Sequence, residues 1–213
     1  MHCSICKTKT ENWIDEKKDI LYYVCNHCEF IFKSPEHYQN FSSQKERYNL
    51  HENNADDAGY IAYFQRFLDF VLPQINGVTH ALDFGCGKSI LLADMLKKEG
   101  IACDFYDPIY HPNTLKRKKK YDLIVSTEVF EHLHQPQEVF SRLVSDLHSL
   151  GYLALQTQFH PKDVVKFKQW YYPNDPTHIV FFRPKTFEIL SEMFGCKVIS
   201  HNEKNMVLIQ KIV

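Results

Sequence analysis

The chain has 213 residues and a formal net charge of -1 with histidine neutral. This length suits one main domain with a small appendage, since ordinary domains have roughly 100–200 residues. Hydrophobic residues make up 44% and charged residues 24%, which excludes extended disorder for most of the chain. The balanced charge argues against a protein that binds nucleic acid mainly through its overall electrostatic field, although a local basic patch is compatible with it.

No run in the sequence approaches the roughly 18 apolar residues that a membrane-spanning helix requires. The first residues, Met1 to Ser4, are polar and do not begin the apolar core of a signal peptide. We therefore expect a cytoplasmic protein with no membrane partner. Seven cysteines are an odd number, so they cannot all pair as disulfides within the chain. Of these, we expect Cys86, Cys103 and Cys196 to be small buried residues.

Two Cys-x-x-Cys pairs open the chain and are separated by 18 residues. Pairs at this spacing form two tight turns that close a tetrahedron of thiolates around Zn²⁺. A predicted strand, Ile20–Val24, leads into the second turn, and Phe30–Phe32 is predicted as a strand leaving it. The pattern predicts a zinc ribbon over residues 1–33; four free or redox-active thiols are the alternative. The predicted ligands of this structural zinc are Cys3, Cys6, Cys25 and Cys28.

Residues 34–58 are polar and form a predicted linker or lid. A helix follows, because apolar residues recur at helical spacing from Tyr60 to Leu72 and Pro73 ends the run. The linker holds several polar side chains that suit a lid over a bound ligand, a plain surface loop being the alternative. These side chains are Glu46, Arg47, Tyr48, His51 and Asn53.

From residue 80 onward, predicted strands and helices alternate. The first unit begins with a buried strand, Ala81–Phe84, and a glycine-rich turn, Gly85–Ser89. A helix, Ile90–Glu99, follows and ends at Gly100. A second strand, Ile101–Tyr106, is followed by the acid Asp107. Such a unit suits a nucleoside-type ligand, because glycines let the backbone approach the ligand and the acid accepts hydrogen bonds from ribose hydroxyls. The pattern is not a phosphate-binding P-loop, since Leu82 stands where that motif needs glycine.

Two motifs carry a resemblance to a known family. The segment Asp83-Phe84-Gly85-Cys86-Gly87 resembles the first motif of class I S-adenosylmethionine-dependent methyltransferases, and residues 121–133 resemble the fourth-strand motif of that superfamily. The resemblance covers roughly residues 60–213. It implies an α/β fold with a Rossmann-like sheet flanked by helices, here over residues 59–213 and preceded by the zinc ribbon. The implied S-adenosylmethionine site consists of Asp83, Gly85, Cys86, Gly87, Asp107 and Glu128.

The chain departs from that superfamily in two places. Ser89 stands where the first motif commonly has a third glycine, and only 13 residues separate Asp107 from Tyr121, where a helix and a third strand are usual. We therefore expect the sheet to lack one edge strand, and the adenine contact has no obvious counterpart. The basic run Lys116–Lys120 fills this connection, either as a solvated face or as a patch for phosphate or an acidic substrate.

The rest of the sequence completes the superfamily's usual order of elements. Two further helices, one strand and a closing antiparallel hairpin are predicted. The helices are Gln137–Leu147 and Lys185–Phe194, the strand is Tyr152–Thr157, and the hairpin joins Val198–Ile199 to Met206–Ile212.

A group of acids and histidines marks the predicted catalytic site. Glu128, Glu131 and His132 share one helical turn, and His178 lies in a loop at the same rim of the sheet. The four side chains can bind Mg²⁺ or Mn²⁺, and they resemble the metal sites of ubiquinone-biosynthesis O-methyltransferases and small-RNA 2′-O-methyltransferases. Metal-free substrate-site roles and purely structural roles are the alternatives. The predicted catalytic residues are His178, Glu131 and His132, with His178 as a metal ligand or as a general base of pKa near 6.5.

The sequence thus predicts a methyltransferase that acts on a small molecule, at oxygen. An RNA or tRNA methyltransferase is the first alternative, with the ribbon and Lys116–Lys120 contacting phosphates. The second is a non-catalytic module that binds S-adenosylmethionine and whose ribbon docks a partner. The aromatic segment Trp170–Tyr172 has two interpretations: it forms a wall of the acceptor site, or it packs in the protein interior. The oligomeric state has no signature in the sequence.

Overall fold

The computed structural model describes residues 1–39, 57–114 and 119–212. Three strands form in the N-terminal part: β1 (Glu11–Asp15), β2 (Ile20–Val24) and β3 (Ile31–Lys33). The elements that follow are α1 (Ala58–Val71), β4 (His80–Phe84), α2 (Leu91–Lys98), β5 (Ala102–Tyr106), β6 (Tyr121–Thr127), α3 (Pro136–Ser145), β7 (Leu147–Gln156), α4 (Val164–Gln169), β8 (Val180–Phe181), α5 (Pro184–Met193), β9 (Cys196–His201) and β10 (Met206–Lys211).

The main sheet has six strands in the order β5-β4-β6-β7-β10-β9. The first four run parallel, and β10 is antiparallel to both of its neighbours. The predicted α/β, Rossmann-like sheet with an antiparallel hairpin is confirmed. Within the described residues no strand lies beyond β5, as the short connection to Tyr121 predicts.

Helices cover both faces of this sheet because adjacent apolar residues of a strand point to opposite sides. Leu123 of β6 packs in one cluster with Phe67 of α1 and Leu96 of α2. Its neighbour Ile124 packs in another cluster with Phe140 of α3 and Phe187 of α5. The predicted helices and strands of this part therefore lie where the apolar pattern places them, apart from differences at their ends.

The largest of these differences is at β7. The predicted helix continued to Leu147, whereas α3 ends at Ser145 and Leu147 already pairs with Tyr121 in the sheet. The strand runs on through Gly151, where an added Cβ would lie 3.0 Å from the carbonyl oxygen of His148. Gly151 thus lets β7 pass close to neighbouring backbone, and the strand begins earlier than the sequence pattern predicts.

The ribbon strands form a second, antiparallel sheet in the order β1-β2-β3-β8. Its last strand, β8, comes from within the region that the sequence assigns to the methyltransferase domain. The sheet therefore crosses the domain boundary predicted at residue 33. Three elements of the described structure, β1, α4 and β8, were not predicted.

Side chains also join the ribbon to the rest of the protein. Phe30 packs against Phe182 with ring centroids 5.3 Å apart. Glu29 accepts hydrogen bonds from Lys162 at 2.6 Å and from Arg183 at 3.1 Å. The Thr186 hydroxyl donates to the carbonyl oxygen of Cys28 at 2.8 Å. The ribbon is thus packed into the same apolar cluster as one face of the main sheet.

Among the described residues, no helix is both long enough and apolar enough to cross a membrane.

Candidate active site

A cavity of about 830 Å³ opens at the carboxyl ends of β4, β5 and β6. This edge is where parallel α/β sheets bind ligands, and the volume suits a nucleoside-sized molecule with a second reactant. One end, the donor end, is lined by Asp83, Gly85, Gly87, Lys88, Asp107 and Tyr110. The other, the acceptor end, is lined by Tyr63, Glu128, His132, Tyr171, Tyr172 and His178.

The turn after β4 forms the floor of the donor end. Gly85 has a φ of 82°, and an added Cβ would lie 2.3 Å from Cγ2 of Val129. Both the backbone conformation and the close contact therefore require glycine here. The N–H groups of Gly85 and Cys86 donate to the carbonyl oxygen of Tyr106 at 2.7 and 3.1 Å, which ties the turn to the end of β5. Cys86, Cys103 and Cys196 are buried, as predicted.

Asp107 lies at the rim of the donor end. Its carboxylate accepts hydrogen bonds from the N–H groups of Gly87 at 3.1 Å, Ile109 at 2.8 Å and Tyr110 at 2.9 Å. These bonds fix the carboxylate beside the turn, facing the cavity. Asp104, two residues before the end of β5, instead pairs with Lys119 at 2.5 Å and does not line the cavity.

Asp83 lies beneath the same turn and is 2% exposed. Burial raises the pKa of its carboxyl to about 8, and the negative charge of Asp107 adds to this effect. The donor end therefore has one carboxylate fixed by backbone N–H groups and one carboxyl that burial keeps protonated at neutral pH.

Glu128 links the acceptor end to α1 and to the loop after α4. Its φ is 52°, an uncommon conformation for a residue with a side chain. The Tyr63 hydroxyl donates to one carboxylate oxygen at 2.9 Å, and the Tyr172 hydroxyl lies 2.9 Å from the other. Burial, together with the charge of Glu131, raises the pKa of Glu128 to about 8.

Glu131 is fully buried next to Glu128, and its carboxylate lies 2.6 Å from the Tyr172 hydroxyl. A hydroxyl has one hydrogen and can donate to only one of these two carboxylates. The other contact therefore requires a proton on a carboxyl, which agrees with the raised pKa of Glu131 that burial causes. Within the described residues no lysine or arginine forms an ion pair with either acid. The carboxyl groups of Glu128 and Glu131 therefore hold at least one proton between them, or a bound cation replaces that proton.

His132 and His178 are each oriented by a backbone carbonyl group. His132 Nδ1 lies 3.0 Å from the carbonyl oxygen of Thr177, and His178 Nδ1 lies 2.8 Å from that of Tyr172. A carbonyl only accepts, so each Nδ1 carries the proton and each Nε2 has a lone pair. The expected pKa near 6.5 for His178 is wrong: burial lowers it to about 3, with a contribution from His132. Both imidazoles are therefore neutral at physiological pH.

Three of the four residues predicted as ligands of a divalent cation come together. The ligand atoms of Glu131, His132 and His178 all lie within 4.8 Å of one another. Two imidazoles whose Nδ1–H groups donate to carbonyls, plus one carboxylate, are a donor set that suits a divalent metal. Glu128 is not in this group, and its two carboxylate oxygens each lie 2.9 Å from a tyrosine hydroxyl, those of Tyr63 and Tyr172. The predicted helical turn is a short 3-10 helix, Phe130–His132, which Glu128 precedes.

The four predicted zinc ligands also come together. The sulfurs of Cys3 and Cys28 are 3.5 Å apart, and those of Cys6 and Cys25 are 3.4 Å apart. Sulfurs at the corners of a tetrahedron with Zn–S distances of about 2.3 Å are about 3.8 Å apart. The group therefore fits one zinc ion, with no position left for a substrate.

Several predicted features lie outside the described residues. They include the candidate lid residues Glu46, Arg47, Tyr48, His51 and Asn53, and most of the basic run, residues 116–118. Lys119 pairs with Asp104, and Lys120 donates to the carbonyl oxygen of Ser145.

Two residues of the site were missed by the sequence analysis, and a third was only partly found. Tyr63 belongs to the apolar stripe of α1, and nothing in the pattern showed that its hydroxyl meets Glu128. Lys33, discussed below, had no signal at all. Tyr172 was noted within Trp170–Tyr172, but its hydroxyl bonds to two glutamates were not foreseen.

Residues 56–201 of the sequence match the family described as "Methyltransferase domain". The match covers more than half of the chain, and the chain belongs to this family. Its methyltransferase domain has the fold of class I S-adenosylmethionine-dependent methyltransferases, as the two motifs predicted. A search of curated protein sequences gave no match.

Solved structures share the fold at low sequence identity. An O-methyltransferase family protein from Burkholderia thailandensis is 12% identical with a TM-score of 0.59, over 79% of this chain and 62% of that one. This chain thus spans less than two thirds of that protein. A putative sarcosine dimethylglycine methyltransferase from Galdieria sulphuraria is 14% identical with a TM-score of 0.58, over 75% and 74% of the chains.

A third structure contains a relative of the methyl donor. The N-methyltransferase NodS from Bradyrhizobium japonicum, in complex with S-adenosyl-L-homocysteine, is 15% identical with a TM-score of 0.51, over 81% of this chain and 99% of that one. At these identities the likeness concerns the fold, and the neighbours include both O- and N-methyltransferases.

Proposed function

We propose that this methyltransferase transfers the methyl group of S-adenosylmethionine to a hydroxyl oxygen of a small molecule. One observation carries the proposal: His132 and His178, whose ligand atoms cluster with the buried carboxylate of Glu131, line the same cavity as the glycine-rich donor turn. The donor end would bind S-adenosylmethionine through the backbone around Gly85 and Gly87. Asp107 would accept hydrogen bonds from the ribose hydroxyls, and Asp83 and Cys86 complete the proposed donor site. Glu128, also predicted to contact the donor, lies at the acceptor end.

The sulfonium of the donor is already a strong electrophile. The protein must hold the acceptor oxygen in line with the methyl group and about 3 Å from it. A hydroxyl must also lose its proton to become a good nucleophile. A divalent cation bound by Glu131, His132 and His178 would supply Lewis acidity that lowers the pKa of the acceptor hydroxyl.

The protonation state of His178 favours the ligand role over the general-base role. Burial lowers its pKa to about 3, and an imidazole with so low a pKa is a weak proton acceptor at neutral pH. The same neutral imidazole, with Nδ1–H donated to the carbonyl of Tyr172, presents the lone pair that a metal needs. The general-base role is therefore the weaker of the two sequence-based alternatives.

The charges around the cavity favour a small acceptor without negative charge. Lys88 is the one lysine or arginine among the described residues of the lining, and its ammonium lies 5.5 Å from the ring centroid of Tyr110 at the donor end. The acceptor end offers tyrosines, histidines and a carboxyl group instead. A phosphate-rich acceptor such as RNA would need cations there.

The test is a methyl-transfer assay with labelled S-adenosylmethionine over a panel of hydroxylated metabolites and RNAs. We expect transfer to a small hydroxyl compound that stops after removal of divalent cations and returns with Mn²⁺ or Mg²⁺. Retained zinc must be measured in the same samples, so that loss of the ribbon metal is not mistaken for loss of a cation at Glu131. Transfer to nitrogen would reject the oxygen assignment. Transfer to RNA alone, weakening steeply with salt, would support the RNA alternative.

A further inference from the structure

The last ribbon strand lies directly against the segment that carries His178. In the antiparallel pairing of β3 with β8, Ile31 lies opposite Phe181 and Phe32 opposite Val180. The N–H of Lys33 donates to the carbonyl oxygen of Ile179 at 2.8 Å. The N–H of Ile179 in turn donates to the carbonyl oxygen of Glu131 at 2.9 Å. A continuous backbone path therefore joins the ribbon to the acceptor end of the cavity.

The side chain of Lys33 makes a second link. Lys33 is 2% exposed, and its ammonium donates to the carbonyl oxygens of Pro173 and Asp175, each at 3.3 Å. Both carbonyls belong to the loop between Tyr172 and His178, which we call the acceptor loop (residues 172–178). Burying an ammonium is costly unless it is hydrogen-bonded, so the position of Lys33 and the fold of this loop depend on each other.

The acceptor loop in turn orients the two histidines. The carbonyl oxygen of Tyr172 receives the Nδ1–H of His178, and that of Thr177 receives the Nδ1–H of His132. Asp175 holds the loop from within, since its carboxylate accepts from the N–H and the hydroxyl of Thr177 at 2.9 and 2.6 Å. A change in the loop backbone would therefore rotate both imidazoles.

The zinc site fixes the other end of this path. The strand β3 begins three residues after Cys28. The turn at Cys28 is also held by the main domain, because the Nε2 of His160 lies 2.7 Å from the carbonyl oxygen of Glu29. A metal that holds the four cysteines would thus fix the start of β3, and through it the ammonium of Lys33.

We propose that the zinc ribbon is a structural part of the acceptor site, and that Lys33 is a positioning residue which sets the acceptor loop and the orientation of His132 and His178. The expected effect of Lys33 on turnover rests on the proposed function. The expected effect of Lys33 on the orientation of the two imidazoles does not rest on it, so the positioning role and the proposed function can fail separately.

The test compares Lys33→Met, which keeps the length of the side chain without the ammonium, with Lys17→Met at an exposed position of the same ribbon. Histidine side-chain NMR, assigned by His132→Gln and His178→Gln, reports on the two Nδ1–H hydrogen bonds. We expect both signals to shift in Lys33→Met and to stay unchanged in Lys17→Met. Affinity for S-adenosylhomocysteine, measured by calorimetry, should remain within about twofold in both, because the donor turn is remote from Lys33.

Turnover gives the second readout once an acceptor is known. In Lys33→Met, kcat/KM for the acceptor should fall by about 10- to 100-fold, a usual scale for misplaced reacting groups. Lys33→Arg, which keeps the charge and the donors, should recover part of the loss. Should Lys33→Met fail to fold, removal of zinc from the wild type replaces it, with Mg²⁺ returned afterwards so that a cation at Glu131 is kept, and with the same expected change in the histidine signals and the same retained affinity for S-adenosylhomocysteine.

Two results would overturn the proposal. In one, the histidine signals and turnover of Lys33→Met match the wild type. In the other, affinity for S-adenosylhomocysteine falls as much as turnover, which would make Lys33 a general stabiliser of the fold. Shifted histidine signals in a protein that methylates no hydroxyl compound would support the positioning role and reject the proposed function.

Discussion

The two ends of the cavity are built in different ways. The donor end is local: the turn at Gly85, the N–H of Gly87 and the carboxylate of Asp107 meet within one β-α-β unit. The acceptor end brings together Tyr63 from α1, Glu128 after β6 and Tyr172 from a loop near β8. The first kind of site depends on short-range turn geometry, whereas the second depends on packing between distant segments. The two ends should therefore respond separately to substitution.

The largest expected effect is at the acceptor end. His178→Ala should reduce turnover by about 100-fold or more, the scale of a lost catalytic group, because one of the three clustered ligand atoms disappears. Affinity for S-adenosylhomocysteine, measured by calorimetry, should not change. Activity that resists EDTA but is lost in His178→Ala would restore the general-base role. Full turnover in the variant on the true acceptor would leave both roles without support.

Next comes the donor turn. Gly85→Ala should weaken donor binding by at least about 30-fold, since a strained backbone and a close contact each cost about 1 kcal/mol or more, which makes about 2 kcal/mol together. Gly100→Ala is the matched control: Gly100 has the same φ of 82°, but an added Cβ there meets nothing within 4 Å. Calorimetry with S-adenosylhomocysteine measures both variants. Equal affinities for S-adenosylhomocysteine in the two variants would show that the contact with Val129 does not affect donor binding.

The carboxylate of Asp107 should matter somewhat less. Asp107→Ala removes an acceptor for ribose hydroxyls and should weaken donor binding by about 1–3 kcal/mol. Asp104→Ala serves as the control, because Asp104 pairs with Lys119 and does not line the cavity. If titration calorimetry finds the loss in Asp104→Ala instead, the ribose contact has been placed on the wrong acid.

The smallest expected effect concerns the pH dependence of stability. The pKa of Asp83 is raised to about 8 by burial, so the free energy of unfolding falls as the pH rises from about 4 through 8. Asp83→Asn, which imitates the protonated acid, should lack this fall, so its stability relative to the wild type should rise steadily between pH 5 and pH 8. Urea unfolding at several pH values measures this. Asp94→Asn, at an exposed ion pair with Lys97, should run parallel to the wild type.

The same contrast explains which features could be predicted from the sequence. The glycine turn, Asp107 and the four cysteines follow from spacing, because their contacts depend on a few neighbouring residues. The hydrogen bond from Lys33 to Pro173 joins residues 140 positions apart, and no local pattern encodes it. Likewise, β8 has only two residues, and β1 is mostly exposed, so neither shows the alternation that predicts a strand.

The chemistry of the acceptor end was predicted in part. The E-x-x-E-H spacing found the residue types, but Glu128, which has a positive φ and accepts a hydrogen bond from Tyr63, is not in the group that the other three residues form. The low pKa of His178 follows from burial, which a single sequence does not reveal. Composition and spacing thus indicate which groups are present, while their protonation depends on the packed surroundings.

The exposed edge of the main sheet has a further consequence. Strand β5 has no partner on its outer side within the described residues, so its backbone N–H and C=O groups offer a template on which another chain can add a strand. Lys119 lies against this strand through its ion pair with Asp104. Charged lysines at a sheet edge oppose such strand addition, because a second strand would have to desolvate them. Lys119 therefore opposes edge-to-edge pairing at the place where the superfamily's usual third strand has no counterpart among the described residues.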